Sequence, residues 1–101
     1  MATLPGVATS LYSPWRELTV DDLKVLVHVG GYVHPLFEHP DDTTPFPGQA
    51  LLLIGGGLVE QTDGLPENII ALVELTEVRF RAMVTPAMKV RVKLVLHPTR
   101  P

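Results

Sequence analysis

The side chains best suited to chemistry lie in the bend VGGYVHPLFEHPDD, residues 29–42. This bend carries imidazoles at His34 and His39 and carboxylates that include Asp41 and Asp42. Histidine titrates near neutral pH, so an imidazole beside a carboxylate can take part in general acid–base catalysis. The competing interpretation is a solvated turn in which Asp41 or Asp42 accepts hydrogen bonds from the backbone, which is the commoner role of such a sequence.

A metal site in this bend is not predicted. His34 and His39 lack the i, i+4 spacing of a helical ligand pair, and the bend has no third histidine. The chain contains no cysteine, which excludes disulfides, thiolate nucleophiles and cysteine zinc sites. We therefore expect neither a metal nor another cofactor.

Composition predicts one folded domain over residues 1–101. The apolar fraction of 46% and the mean hydropathy of +0.23 exclude a disordered chain, and the net charge of −3 argues against a nucleic-acid binder. Five basic residues alternate with apolar ones near the end of the sequence: Arg79, Arg81, Lys89, Arg91 and Lys93. We interpret them first as the solvated face of a strand and second as a patch for an anionic ligand.

Nothing in the sequence predicts targeting or membrane insertion. The N-terminal stretch MATLPGVATSLYSPW lacks a basic segment followed by an apolar one. The longest apolar stretch, ALLLIGGGLV at residues 50–59, is shorter than the roughly 18 to 20 residues that span a bilayer. The expected location is the cytoplasm, with no membrane contact.

The first half of the chain predicts one helix between two irregular segments. Residues 1–17 contain prolines, glycine and serines that favour an irregular lead-in. Thr19 is a candidate N-cap with Asp22 three residues later, and an apolar stripe follows until Gly30 and Gly31 end the helix. Four prolines then predict an extended loop over residues 31–48.

The segment GQALLLIGGGLVEQTDG predicts a buried helix over residues 49–61, because nearly every position is apolar. Gly55, Gly56 and Gly57 each cost about 1 kcal/mol relative to alanine inside a helix. Close approach of another backbone would compensate. The alternative is that the helix breaks at the glycines, and the sequence leaves both interpretations open.

Residues 68–96 predict antiparallel strands. Apolar and polar residues alternate in EVRFRAMV, the stretch TPAM predicts a turn, and VRVKLVL directs Val90, Val92, Leu94 and Leu96 to one side. Strands packed against a buried helix define an α+β domain.

Three segments in this order resemble the MaoC-like enoyl-thioester hydratases and dehydratases. LTVDDLKVLVHVGGYVHPLF is similar to the family's helix and its Gly-Asp-x-Asn-Pro-Leu-His segment, with Gly31, Pro35 and Leu36 in register. TPFPGQALLLIGGGLVEQ resembles the loop and central helix, and EVRFRAMVTPAMKVRVKLVL resembles two strands and their turn. The resemblance implies a hotdog fold, in which an antiparallel sheet wraps the central helix. This sheet is expected to be shortened, since one strand pair of the family has no counterpart after Leu96.

The resemblance also implies that the catalytic pair of the family is missing. Tyr32 stands at the position of its Asp and Phe37 at the position of its His, while His34 replaces the Asn. Neither a phenol nor a phenyl ring is an effective general base at neutral pH. The catalytic positions Tyr32 and Phe37 are thus degenerate, and His34 and His39 are the candidate substitutes.

The catalytic residues of two other kinds of hotdog enzyme are poorly matched by this sequence. Phe46, Pro47 and Gly48 are similar to the His-Phe-Pro-Gly loop of the hydroxyacyl carrier-protein dehydratases, but Pro45 replaces its histidine. Glu60 is open to a thioesterase-like use, although the preferred interpretation is a helix end that emerges into water.

The segment that resembles the acyl-binding part of the family is retained in this sequence. Gly48, Gln49 and Ala50 begin the segment that resembles the central helix, where backbone N–H groups of the family hold the thioester carbonyl. The expected ligand is an acyl-CoA or acyl-carrier-protein thioester. The expected role is the acyl-binding, non-catalytic subunit of a heteromeric hydratase. The alternatives are a homodimeric binder of acyl thioesters or hydrophobic ligands, and a thioesterase or hydratase that uses non-standard residues.

Overall fold

Two helices and four short strands form the part of the chain that this computed structural model describes, residues 9–65 and 77–96. In chain order they are β1 (Thr9–Tyr12), β2 (Arg16–Glu17), α1 (Val20–Gly30), a 3₁₀ turn (Pro35–Phe37), α2 (Gly48–Glu60), β3 (Lys89–Val90) and β4 (Lys93–Leu96). The predicted α+β class is confirmed.

The strands pair from opposite ends of the sequence as two antiparallel two-stranded sheets within the described residues. β1 pairs with β4, with Tyr12 opposite Lys93, and β2 pairs with β3, with Arg16 opposite Val90. Between the two pairs, the Ser13 N–H donates to the Val92 carbonyl at 2.9 Å, and the Val92 N–H donates to Ser13 Oγ at 2.8 Å. A side-chain hydroxyl therefore replaces one backbone acceptor where the ladder is interrupted.

The prediction of an irregular lead-in over residues 1–17 is wrong at residues 9–12 and 16–17, which form β1 and β2, whereas residues 13–15 between them are irregular. Local residue preference favoured irregular structure, but pairing with β3 and β4 overrides it. Pro14 lies in the gap between the two strands, where it interrupts no ladder bond. Residues 1–8 lie outside the described part.

Helix α1 is confirmed with both of its predicted ends. The Asp22 N–H donates to Thr19 Oγ1 at 3.1 Å and the Thr19 N–H donates to Asp22 Oδ2 at 2.9 Å, which completes a capping box. Leu23 and Leu26 are buried. Arg16 of β2 adds an ion pair to Asp22 at 2.8 Å, which ties the helix start to the sheet.

Helix α2 is confirmed, and it runs unbroken through its glycines. Only one side is covered, because Ala50, Ile54 and Leu58 are buried whereas Leu52 and Leu53 are exposed. The expectation of a helix buried all round is therefore wrong for the single chain. Glu60 is exposed at the helix end, as the solvated interpretation predicted. No helix in the described ranges is long and apolar enough to span a bilayer.

The predicted strand at residues 77–84 is absent from the described structure. These residues form no ladder, and Val84 alone bonds to another segment, its carbonyl accepting from the Phe46 N–H at 2.7 Å. Alternation marks a segment able to pair, but a strand needs a partner edge, and residues 77–83 form no backbone hydrogen bond with another described segment. The preceding predicted strand segment, residues 68–76, lies outside the described part.

The alternation at residues 90–96 is confirmed. Val90, Val92, Leu94 and Leu96 are partly buried, and the residues between them are exposed. Val92 reaches α2, since a Cβ placed on Gly55 would lie 3.9 Å from its Cγ2. The core between sheet and helices consists of Leu18, Leu23, Leu26, Phe46, Ala50, Ile54 and Leu58.

Replacing Gly31 by alanine is expected to destabilise the fold by about 1 kcal/mol, because Gly31 ends α1 with a φ of 72° that disfavours a Cβ. Chemical denaturation of Gly31→Ala measures the loss. Val29→Ala, at a side chain that is 72% exposed on the same helix, is the matched control and should change the unfolding free energy by less than about 0.5 kcal/mol. Equal effects of the two variants would contradict the role of the cap.

Candidate functional site

The end of α1 folds the bend back onto the helix. The Gly31 N–H donates to the His28 carbonyl at 3.3 Å, and the Tyr32 N–H donates to the Val27 carbonyl at 3.1 Å. The Tyr32 ring then lies against Gly30, where an added Cβ would stand 2.5 Å from the ring. A side chain at Gly30 would displace this ring, so the glycine pair both ends the helix and places Tyr32.

Tyr32 and Phe37 are brought together. Their ring centroids are 6.0 Å apart at an interplanar angle of 69°, an edge-to-face contact. The 3₁₀ turn at Pro35–Phe37 carries the phenyl ring to this position. The two positions at which the resemblance expects an acid and a base thus form one aromatic pair.

His34 has a structural task. Its Nδ1 accepts a hydrogen bond from the Leu36 N–H at 3.0 Å and caps the 3₁₀ turn. The ring also meets Phe37 edge-on, with centroids 6.5 Å apart. Since Nδ1 is engaged as an acceptor, only Nε2 of this imidazole is available for proton transfer.

The HPDD stretch forms a solvated turn. Asp41 Oδ1 accepts hydrogen bonds from the Thr43 N–H at 2.8 Å and from Thr43 Oγ1 at 2.6 Å, while the Asp41 N–H donates to Thr44 Oγ1 at 3.0 Å. The bonds that Oδ1 accepts, the one from the Thr43 hydroxyl first, lower the pKa of Asp41 from its ordinary value of 3.8. His39 and Asp42 are exposed. The turn interpretation is confirmed for Asp41.

The Asp41 turn should loosen in acid. Because the pKa of Asp41 is lower in the folded protein, the ionised turn stabilises the fold above pH 3.8, and this contribution is lost as the pH falls through the lowered value. The amide NMR signal of Thr43 should shift with a midpoint below pH 3.8, and Asp41→Asn should abolish that shift. Asp42→Asn is the matched control and should keep the pH-dependent shift of Thr43. Loss of that shift in Asp42→Asn would contradict its assignment to Asp41.

A cleft of about 450 Å³ opens beside the aromatic pair. Its lining includes Tyr32 and Phe37 together with Lys24, His28 and Glu38. His34 and His39 do not line it. Sequence reasoning missed His28 and Lys24, although their i, i+4 spacing on α1 was a usable signal. Glu38 also went unnoticed as a site residue, since it lies in a run of turn-forming residues.

A second cleft, of about 300 Å³, lies at the N-terminus of α2 and is lined by Phe46, Gly48, Leu51, Phe80, Arg81, Ala82 and Met83. The Phe80 ring lies over Gly48, where an added Cβ would stand 2.8 Å from it. The lining therefore combines apolar surface with one guanidinium. Sequence reasoning treated Phe80 as a strand residue, and it treated Arg81 as part of a solvated strand face or an anionic-ligand patch. It did not connect either residue with Gly48.

The three predicted acyl-binding residues differ in their surroundings. The N–H groups of Gly48 and Gln49 have no acceptor in the described part of the chain, whereas the Ala50 N–H donates to the Pro47 carbonyl at 3.0 Å. Gln49 is exposed, Ala50 is buried, and only Gly48 lines the cleft. Free N–H donors at a helix start can hold an oxygen that carries negative charge, and Arg81 adds a cation nearby.

The described residues contain no group of three histidine or carboxylate side chains placed to hold a metal ion. The chain matches no protein-family model, no curated protein and no solved structure. The features of the chain that bear on function are therefore the two clefts, the uncovered side of α2 and the residues that carry the family resemblance.

Proposed function

We propose that the protein is a catalytically degenerate hotdog domain related to the MaoC-like hydratases, and that it acts as the acyl-binding, non-catalytic subunit of a heteromeric hydratase. The observation that carries this proposal is the apolar side of α2 left uncovered in the single chain, where Leu52 and Leu53 are exposed. Antiparallel strands and a long apolar helix are compatible with the hotdog architecture.

Catalytic degeneracy is supported by the Tyr32–Phe37 pair. Hydration of an enoyl thioester adds water oxygen at one carbon and a proton at the next, so it needs a group that accepts a proton and a group that returns it. The aromatic contact between Tyr32 and Phe37 supplies neither. His34 cannot readily replace them, because it caps the 3₁₀ turn and lies outside the adjoining cleft.

Acyl binding is supported by the cleft at the start of α2. The N–H groups of Gly48 and Gln49 are available to a thioester carbonyl, and this function needs no particular side chain. Phe46, Leu51 and Phe80 supply the apolar lining that an acyl chain requires. The proposed ligand is therefore an acyl-CoA or an acyl-carrier-protein thioester.

Assembly is supported by the uncovered face of α2, which we define as Leu52, Leu53, Gly56 and Gly57. Leu53 is 66% exposed, and a Cβ on Gly56 or Gly57 would meet nothing within 4 Å. Two adjacent glycines in a helix interior are costly unless another backbone packs closely against them. The proposed occupant is a catalytic hotdog subunit, and a second copy of this chain is the alternative.

Coexpression followed by light scattering tests this proposal. A complex with a catalytically competent hotdog subunit that gains or retains enoyl-CoA hydration supports the half-enzyme role. A stable homodimer that binds acyl-CoA without any partner supports the homodimeric binder instead. A well-behaved monomer that forms no complex and binds no acyl thioester would contradict both.

A second function has one observation in its favour. His28 and Glu38 place an imidazole and a carboxylate around the cleft beside Tyr32 and Phe37. Such a set of groups can support a hydratase with non-standard residues. Hydration by the pure chain that is lost in His28→Ala and in Glu38→Gln would establish this function in place of the degenerate one.

A further inference from the structure

The outward side of the β1–β4 sheet carries aromatic rings and cations in contact. The guanidinium carbon of Arg91 lies 4.3 Å from the Tyr12 ring centroid and 4.5 Å from that of Trp15. The Lys93 ammonium lies 5.9 Å from the Tyr12 centroid. We name these four residues, Tyr12, Trp15, Arg91 and Lys93, the cation–aromatic patch.

The strand register explains this arrangement. Tyr12 is directly opposite Lys93 in the β1–β4 pair, and Arg91 precedes Lys93 by two residues, so its side chain lies on the same side. Val92, between the two cations, instead reaches towards Gly55 of α2. The patch is therefore on the opposite side of the sheet from the helix and is separate from both clefts.

Two features of the patch are unusual for simple surface packing. Tyr12 is 47% exposed and Trp15 is 59% exposed, so a large part of each ring remains open to solvent. The ion pair found in the described residues is between Arg16 and Asp22, and neither Arg91 nor Lys93 shares in it. Two cations that pair with no carboxylate of the described residues thus lie against open aromatic surface, in a chain whose net charge is −3.

These features match one chemical class of ligand. An arginine held over aromatic rings by cation–π attraction loses mobility before it binds anything, and its planar N–H fork suits a phosphate group. An exposed indole or phenol ring can stack on a nucleobase. The geometry points to a binding site for a nucleoside phosphate, with phosphate on Arg91 and Lys93 and the base against Trp15 or Tyr12.

Larger anionic partners fit less well. A nucleic acid requires many phosphate contacts, whereas the patch offers two cations on an acidic protein. A membrane surface requires apolar insertion together with a broad basic region. The proposed site does not depend on the acyl-binding function, because it uses none of the same residues.

Fluorescence titration of the full chain tests the proposal directly, because Trp15 is the single tryptophan of the sequence. Adenosine 3′,5′-bisphosphate is the probe, with adenosine and inorganic phosphate as its separate parts. The bisphosphate should give a saturable change in Trp15 emission that weakens as salt rises, and each part alone should bind about tenfold more weakly or worse. Comparison with CoA, which carries the same 3′-phosphorylated adenosine unit, identifies the source. Binding of CoA at least as tight as that of the bisphosphate assigns the site to the nucleotide end of CoA, and weaker binding of CoA assigns it to a free nucleotide.

Arg91→Gln should weaken binding of the bisphosphate by about tenfold or more, since a hydrogen-bonded charge is lost. Arg79→Gln removes the same charge from an exposed position outside the patch and is the matched control. Circular dichroism checks that each variant is folded, and Arg91→Lys, which keeps the cation without the fork, replaces Arg91→Gln if that variant unfolds. The proposal is overturned if the wild-type chain gives no saturable change, if Arg79→Gln weakens binding as much as Arg91→Gln, or if anionic phosphatidylserine vesicles bind and the bisphosphate does not.

Discussion

Purified alone, the protein is expected to hydrate trans-2-butenoyl-CoA no faster than the uncatalysed reaction. The two positions at which a MaoC-like hydratase would hold its acid and base are occupied by Tyr32 and Phe37, whose rings contact each other edge to face. General acid–base assistance typically contributes about 10²- to 10⁴-fold for each group, so loss of both leaves little catalysis. Loss of absorbance of the enoyl thioester measures the rate.

The converse experiment restores the missing groups. Tyr32→Asp combined with Phe37→His places a carboxylate and an imidazole beside the existing cleft. We expect activity above background but well below that of an evolved enzyme, because the surrounding contacts were not selected to orient these groups. Tyr32→Asn combined with Phe37→Gln is the matched control, since it makes a similar change in size and polarity without an acid–base pair.

Two outcomes would contradict the expected inactivity of the wild-type chain. Substantial turnover by the wild-type chain that disappears in His28→Ala and Glu38→Gln would assign catalysis to the residues of the adjoining cleft. Turnover that disappears in His34→Ala or His39→Ala would show that the loop histidines act as substitutes. Equal activity of the two double variants would mean that the cleft does not bring the restored pair to the substrate.

The parts of the fold that local signals determine were predictable from the sequence. Helix α1 has its start in the Thr19 and Asp22 capping box and its end at Gly31, and each signal lies within a few residues of the bond it makes. Helix α2 followed from an apolar run longer than a typical strand. Such signals need no knowledge of distant parts of the chain.

The strands depend on distant partners, and there the sequence was less informative. Ser13 and Val92 bond to each other across 79 residues, and no local pattern in residues 9–17 indicates that contact. Residues 77–84 alternate as clearly as residues 90–96, yet only the second segment has a described partner edge. Alternation therefore shows which residues can form a strand, and pairing decides which of them do.

The candidate site was predictable only in part for the same reason. The sequence placed Tyr32 and Phe37 near each other because only four residues of a turn lie between them. The sequence did not place His28 or Glu38 beside this pair. These residues line a common cleft with Tyr32 only because Tyr32 folds back over Gly30. The contact of Arg91 with Tyr12 and Trp15 likewise requires pairing of the first and last described strands.

A charge introduced on the uncovered face of α2 should weaken assembly and leave the stability of the single chain almost unchanged. Leu53→Lys is expected to change the unfolding free energy of the single chain by less than about 0.5 kcal/mol, since Leu53 is 66% exposed. A buried lysine at the centre of an interface should instead weaken association by about 30-fold or more, or about 2 kcal/mol. Val33→Lys, at a side chain that is 90% exposed on the loop after α1, is the matched control for both measurements.

Gly56→Ala gives the sharper result, because it is expected to stabilise the free chain and to weaken association with a partner. In the free chain an added Cβ meets nothing within 4 Å, so alanine should stabilise the helix by about 1 kcal/mol. Against a closely packed partner backbone the same methyl group must push the helices apart, and association should weaken. Chemical denaturation of the single chain and sedimentation of the assembly measure the two effects. Stabilisation of the chain with unchanged association would show that the partner does not bind over Gly56, and assembly through the uncovered face of α2 would then be wrong.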